Sequence, residues 1–416
     1  MVATLDPAEL IELLPRSARV MVGGATGEST VLAEAVMAAG DSVEARFSGI
    51  FVPSLNRTTY LPNPACRVET FFMTPELAAH RQQVEFFPLC YQDILARLRD
   101  TRFDAALMMV TPPDEQGRCS FGPAVDFLAE LWPNIPLRIG HINSLLPRTR
   151  GDAGISFDAF DHIVEREVPI AGFPLDGSDE VTARIADHVA ELVPNAATIQ
   201  TGLGRVPGAI LRALAGHRNL RIHSGLIGDA VVDLAEAGAL AIGVAVTAGV
   251  AIGSDSLYRA ITGPAYNFRA VSVTHDVATI AAIPHFISIN SALEVDLFGQ
   301  AFAEVGPHGL MSGPGGASDF ARGARLSDGG LRIVALPADA AGGSISRIVP
   351  LGAARGPVSL GRFDIDLVVT ENGVADLRGL DHDGRASALI RVASPAHREM
   401  LEASCLDCTR RLLGAI

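Results

Sequence analysis

Short runs rich in Val, Ile, Ala and Phe alternate along this chain with longer Ala/Leu-rich segments whose apolar residues recur at helical spacing. ARVMVGG (18–24) is followed by TVLAEAVMAAG (30–40), FDAALMMV (103–110) by AVDFLAELW (124–132), and AATIQTG (196–202) by PGAILRALAG (207–216); a further run, ALAIGVAVT, stands at 239–247. Alternation of short apolar runs with period-3.6 segments is the pattern of βα units around mostly parallel sheets. It predicts an α/β fold. Around residues 170–180, the text VPIAGFPLDGSDEV concentrates Pro, Gly, Asp and Ser, and a fresh helix-then-strand pattern starts after it. This places a domain boundary there, giving an N-terminal domain over 1–178 and a C-terminal domain over 179–416. Each half opens with a strand that runs into glycines, VMVGG and TIQTGLG, which makes two similar halves plausible.

Composition narrows the function classes. A chain of 416 residues with 48% hydrophobic residues supplies cores for two or three domains of roughly 100–200 residues each. The formal charge of −14 argues against a nucleic-acid partner, because phosphate binding requires clustered cations. No lysine occurs, and all 33 basic residues are arginine, so Schiff-base catalysis, a Walker-type lysine and a Ser-Lys dyad are excluded. The first twenty residues lack a basic segment followed by an apolar core, and the longest small-apolar run, 239–253, is shorter than the ~20 residues of a spanning helix. Neither a signal peptide nor a membrane partner is expected, and the predicted location is cytoplasmic. Five cysteines stand without framework spacing, Cys405-x-x-Cys408 has no second pair, and the eleven histidines form no HExxH-like motif. Reduced thiols and no bound metal are expected.

Four stretches carry candidate chemistry. IHSGLIGDAVVDLAEAG (222–238) reads as a strand, a break at Ser224-Gly225, and a helix whose first turn Asp229 can serve; its His-Ser-Gly step offers no obvious nucleophile. TIQTGLGRVPGAILRAL (198–214) is a strand, a Gly-x-Gly turn and a helix entered through Pro207, where a dinucleotide fingerprint would need a third glycine. Backbone N–H groups at such a turn can hold a phosphate or an oxyanion, although an ordinary structural turn has the same pattern. MSGPGGASDFARGARLSDGG (311–330) is a side-chain-poor loop ahead of a helical start at Asp319, suited to a thioester or pyrophosphate or simply a long loop. ISINSALEVDLFGQ (287–300) alternates as a strand does and projects Glu294 and Asp296 to one face, either as acid/base equipment or as a solvated or arginine-paired face.

Eight ordered segments resemble the acetyl-CoA hydrolase/transferase branch of the class I coenzyme A transferases, a group that includes 4-hydroxybutyrate and succinyl-CoA:acetate CoA-transferases. They are TPPDEQGRCSFG (111–122), LPRTRG (146–151), QTGLGRVPGA (200–209), GDAVVDLAEAGAL (228–240), INSALEVDLFGQ (289–300), GPGGASDFARGA (313–324), SISRIVP (344–350) and VVTENGVADLRGL (368–380), and they cover nearly the whole chain. The resemblance implies two related CoA-transferase-like α/β domains, with an acyl-CoA site between them and a homodimer as the default assembly. It also implies coenzyme A, as the acyl-CoA substrate, and a small carboxylic acid as acceptor. In the family a glutamate attacks the thioester, forming first an acyl-glutamyl anhydride and then a glutamyl-CoA thioester.

That glutamate belongs to a His-Ser/Thr-Glu step, which here reads His223-Ser224-Gly225: glycine stands at the nucleophile's place. In VSVTHDVATI (271–280), His275 aligns with a family active-site asparagine, and the loop before SISRIVP has Ala340-Ala341-Gly342-Gly343 where relatives carry a CoA-contacting lysine. By resemblance Gly202, Leu203, Gly204, Arg205 and Val206 form the first glycine turn of the CoA site, and Leu293, Ser312, Gly315 and Gly316 line its other side. Backbone amides near Leu203 and Gly316 are the expected oxyanion donors. The expected function is acyl-CoA processing, with thioester hydrolysis helped by His275 or Ser224 ahead of CoA transfer, for which Glu294 is the available carboxylate. A silent CoA-binding protein, or different acyl-CoA chemistry, is the reading from another class.

Overall fold

The run Ala105–Val110 forms a strand whose six residues are all buried, as expected of a parallel strand covered on both faces. Around it lies an eight-stranded sheet in the order Ala3–Thr4, His162–Glu165, Leu137–Ile142, Ala105–Val110, Ala18–Val22, Ala45–Gly49, Arg67–Thr70, Val84–Phe86, with every pairing parallel. The computed structural model describes residues 2–172, 177, 179–307 and 309–413, with side chains described as far as Asp407. The domain boundary expected at Ser178 and the Cys408 thiol lie outside the described residues.

Contacts divide the chain into two compact units. The N-terminal unit contains residues 1–174 together with 225–227 and 243–275; the C-terminal unit contains 175–224, 228–242 and 276–416. In the N-terminal unit the strand Val246–Ala251 pairs in parallel with Tyr266–Phe268. In the C-terminal unit Arg221–Ile222, Thr198–Thr201, Phe286–Ser291, Leu331–Ala335 and Leu367–Thr370 are successive parallel neighbours, and Gly373–Asp376 closes the edge as an antiparallel hairpin. Its helix Glu180–Ala190 starts at a reciprocal cap: Asp179 Oδ1 accepts the Thr182 N–H (2.8 Å), and the Asp179 N–H donates to Thr182 Oγ1 (2.9 Å). The α/β expectation and the parallel sheets are both met. Among the described residues, no helix is long and apolar enough to cross a membrane.

Three local expectations are corrected. The strand Arg221–Ile227 runs unbroken through Ser224-Gly225, because Gly225 stays outside the positive-φ region that would turn the chain. The following helix is Ala230–Glu236, and Asp229, expected to serve its first turn, stands at its N-cap. The alternating stretch 287–300 forms two strands: Phe286–Ser291 belongs to the parallel sheet, whereas Glu294–Asp296 joins a three-stranded sheet with Ala301–Phe302 and Ile348–Val349. Alternation reports burial on one face and is blind to a strand that changes sheets. The helix expected to start at Asp319 begins at Ala317, capped by Gly316.

Candidate active site around Gly225 and His275

Two residues far apart in sequence meet inside the N-terminal unit. His275 follows the short helix Val271–Thr274, donating its backbone N–H to the Val271 carbonyl (3.0 Å), and is buried. A Cβ placed on Gly225 would lie 2.4 Å from His275 Cε1 and 2.5 Å from Nε2, far inside van der Waals contact. The Cε1–Nε2 edge of the imidazole therefore takes the volume of a side chain at position 225. The opposite side of the ring environment is set by two neighbours. His275 Nδ1 lies 2.9 Å from Thr274 Oγ1, and Tyr91 stacks on the imidazole at 4.2 Å between centroids and 21° between planes. Tyr91 opens the helix Tyr91–Asp100 and packs in turn against Phe127, at 5.2 Å. The Thr274 hydroxyl also lies 3.4 Å from the Ala270 carbonyl. The imidazole tautomer sets which of Nδ1 and Thr274 Oγ1 donates in their contact.

The N-terminal unit also holds two acids, Asp126 and Glu28, whose carboxyl groups are raised above the ordinary range. The Asp126 carbonyl accepts the Val271 N–H (3.3 Å), and the residue itself sits at φ +34°, uncommon for a side chain other than glycine. Its Oδ1 is buried with no hydrogen-bond partner among the described residues, and burial pushes the carboxyl up to about 8. Glu28 accepts from Asn56 Nδ2 (2.9 Å) and from the Tyr60 hydroxyl (3.0 Å). Burial raises its carboxyl above the ordinary range despite those two bonds. Ser29 Oγ lies 2.9 Å from His141 Nδ1, whose Nε2 is 2.8 Å from the Arg166 carbonyl; burial lowers the His141 imidazole. With Nε2–H donating to that carbonyl, the Ser29 hydroxyl donates to Nδ1. Tyr91, Asp126 and Glu28 were absent from the sequence-derived candidates. Their composition and spacing carry no motif.

The glycine turn lies in the C-terminal unit. Leu203, Gly204, Arg205, Val206, Ala292 and Arg347 are among the residues lining a cavity of about 270 Å³ there. Gly204 has φ +120°, a conformation that a side chain resists, and precedes the helix Arg205–Ala213. Gly202 differs: it is exposed, its φ is not positive, and a Cβ there would meet nothing within 4 Å. Arg205 pairs with Asp179 (3.1 Å), and Arg347 Nη1 donates to the Leu293 carbonyl (3.1 Å), which brings Leu293 to the rim. The Ser312 hydroxyl donates to the Gly313 carbonyl (3.1 Å), and Gly315 turns at φ +63° before Gly316 caps Ala317–Leu326. Ser312, Gly315 and Gly316 are not part of this cavity's lining.

Two other candidates have backbone partners. The Ser224 hydroxyl donates to the Thr201 carbonyl (2.9 Å) within the C-terminal unit, and as the strand neighbour of Gly225 it points to the opposite face. Glu294 Oε2 accepts the Arg355 N–H (2.8 Å), and Asp296 Oδ1 accepts the N–H groups of Phe298 (3.0 Å) and Gln300 (2.9 Å), which fixes the turn after its strand. Among the described residues no group of three or more His, Cys, Asp or Glu side chains is placed to hold a metal ion.

Residues 253–405 match the acetyl-CoA hydrolase/transferase C-terminal domain. The chain is 35% identical over 334 residues to the 4-hydroxybutyrate coenzyme A transferase of Clostridium kluyveri, covering 78% of each chain. The crystal structure of RipA from Yersinia pestis superposes with a TM-score of 0.91 at 27% identity, over 98% of this chain and 97% of that one. A 4-hydroxybutyrate CoA-transferase from Porphyromonas gingivalis superposes at 0.81 with 29% identity, over 99% and 98%. The order of the glycine turns, the parallel sheets that carry them, and identity spread over more than three quarters of a relative make this chain a member of the acetyl-CoA hydrolase/transferase family.

Proposed function

We propose that this protein is an acyl-CoA-processing enzyme that hydrolyses a thioester without a glutamyl-CoA intermediate, using His275 in the space of the residue-225 side chain. The observation that carries this reading is the 2.4 Å separation between a Cβ at Gly225 and His275 Cε1: an imidazole stands where the family resemblance puts a carboxylate. Imidazole suits proton transfer near neutral pH, whereas the ionised carboxylate of the family needs no base and acts as the nucleophile itself. In the proposed step a water molecule adds to the thioester carbonyl while His275 Nε2 takes its proton. Backbone N–H donors hold the tetrahedral oxyanion. The C–S bond then breaks, the proton passes to the departing CoA thiolate, and a carboxylic acid and CoA are released.

A second reading, CoA transfer to a small carboxylic acid, is favoured by the 35% identity to a 4-hydroxybutyrate coenzyme A transferase. The two differ in the fate of CoA. The test incubates the protein with a panel of acyl-CoAs, with and without acetate and succinate, and measures free CoA and new thioesters by mass spectrometry. Hydrolysis gives free CoA at a rate independent of the added acids, and His275→Ala lowers it on the order of 10²-fold or more. New thioesters, or acceleration by acetate, would overturn hydrolysis in favour of transfer. Binding of CoA with no turnover on any acyl-CoA would leave a silent binder.

A further inference from the structure

We infer that Gly225 and His275 are an interlocked pair, so that an imidazole at 275 and any side chain at 225 are mutually exclusive occupants of one volume in the N-terminal unit. His275 is held on two sides. Tyr91 stacks on it at 4.2 Å, and Thr274 Oγ1 fixes Nδ1 at 2.9 Å. Its Cε1–Nε2 edge faces the position of a side chain at 225, where even a methyl group would come within 2.5 Å of both atoms. Backbone conformation does not require glycine at 225, since its φ is not positive; the neighbouring ring requires it. Gly249 lies beside the Gly225 carbonyl, whose oxygen a Cβ at 249 would approach to 3.1 Å. A single Gly225→Glu replacement therefore meets an occupied position. A carboxylate can enter only when residue 275 is shortened as well.

Gly225 and Tyr91 are thus positioning residues for His275, and position 275 determines which chemistry the site supports. The chemical part of this inference rests on the proposed hydrolysis; the packing part does not. The test is a double-mutant cycle with Gly225→Ala, His275→Ala and both together, read by melting temperature, by His275 ring resonances in NMR, and by kcat and KM for thiol release. Gly225→Ala alone should lower the melting temperature, move the ring resonances, and reduce kcat by about 10-fold or more with a smaller change in KM. In the His275→Ala background the same methyl group should cost nothing in melting temperature. Where Gly225→Ala fails to fold, recovery of a folded protein in the double variant is the expected result. Equal penalties with and without the imidazole, or a Gly225→Ala protein with unchanged ring resonances, would overturn the interlock. Absence of thiol release from every acyl-CoA would overturn the hydrolytic reading and leave the melting and NMR arms to decide the pair. Finally, Gly225→Glu/His275→Ala should give a borohydride-trappable glutamyl thioester that Gly225→Glu alone does not; trapping in the single variant would contradict exclusion.

Discussion

Burial without a partner forces a carboxyl group to keep its proton, and Asp126 is the case in which this has a measurable consequence. Its folded-state value of about 8 lies above the ordinary value of about 4, through burial alone. Between those two pH values the unfolded chain releases a proton that the native protein retains, so the native state binds more protons and stability falls as pH rises. The favourable contribution is complete below about pH 4 and is lost as pH passes through 8. Asp126→Asn keeps the shape, tolerates the positive φ and cannot ionise. Urea midpoints measured at pH 5, 7 and 9 should therefore decline less steeply for the variant than for the wild type. Parallel curves would show that Asp126 is ionised at neutral pH and that its Oδ1 finds a partner. The same scale holds the clearest limit of sequence reading. Glycine at 225 is visible in the text, but the imidazole that explains it is fifty positions away.

At the scale of the element, the turn between Thr198–Thr201 and the helix Arg205–Ala213 contains two glycines that look alike in sequence and differ in structure. Gly204, at φ +120°, is needed by the backbone, and Gly204→Ala should destabilise the protein by about 1–3 kcal/mol. Gly202 has open space at its Cβ position and no positive φ, so Gly202→Ala should change stability by less than about 0.5 kcal/mol. If the turn presents its backbone to coenzyme A, as the family resemblance implies, the Gly202 methyl should still weaken CoA binding, which calorimetric titration can measure alongside urea denaturation. Loss of stability without loss of affinity at Gly202 would reduce it to a folding residue. Periodicity located the helix correctly because it buries one face, and the strand, buried throughout, stood out as a short run beside it. It failed at 287–300, where Glu294–Asp296 leaves the sheet of Phe286–Ser291, because alternation is conserved when a strand changes sheets.

For the whole molecule, the cysteines report each unit separately. Cys66 and Cys119 are fully buried in the N-terminal unit, and burial pushes the Cys119 thiol up to about 11, so both are inert in the native state. Cys90, in the same unit, and Cys405, in the other, are partly exposed. Labelling with a thiol reagent in increasing urea, mapped by mass spectrometry, should modify Cys90 and Cys405 first. Cys66 and Cys119 should follow together at the transition of their unit. Early modification of Cys119 alone would mean that the segment Arg118–Cys119 opens locally rather than with its sheet.

The amino-acid sequence by itself determined the α/β class, the parallel strands, the glycine turns and the family, because these depend on local periodicity, on backbone conformation and on ordered motifs that survive in one dimension. It also raised a question at position 225, where the resemblance implies glutamate and glycine stands. Only the tertiary structure shows what surrounds that glycine. Whether a glycine leaves a void, presents backbone to a ligand or makes room for another side chain depends on atoms brought close by folding. Here the nearest are those of His275, clamped by Tyr91 and Thr274. The same holds for Asp126, whose protonation is a property of its burial and not of its neighbours in sequence. Ser224 and Glu294 looked available in the text because a hydroxyl and a carboxylate are reactive groups; the fold gives each a backbone partner instead. Hydrogen bonding and steric exclusion act over a few ångströms in space, and the chain specifies those distances only when it is folded.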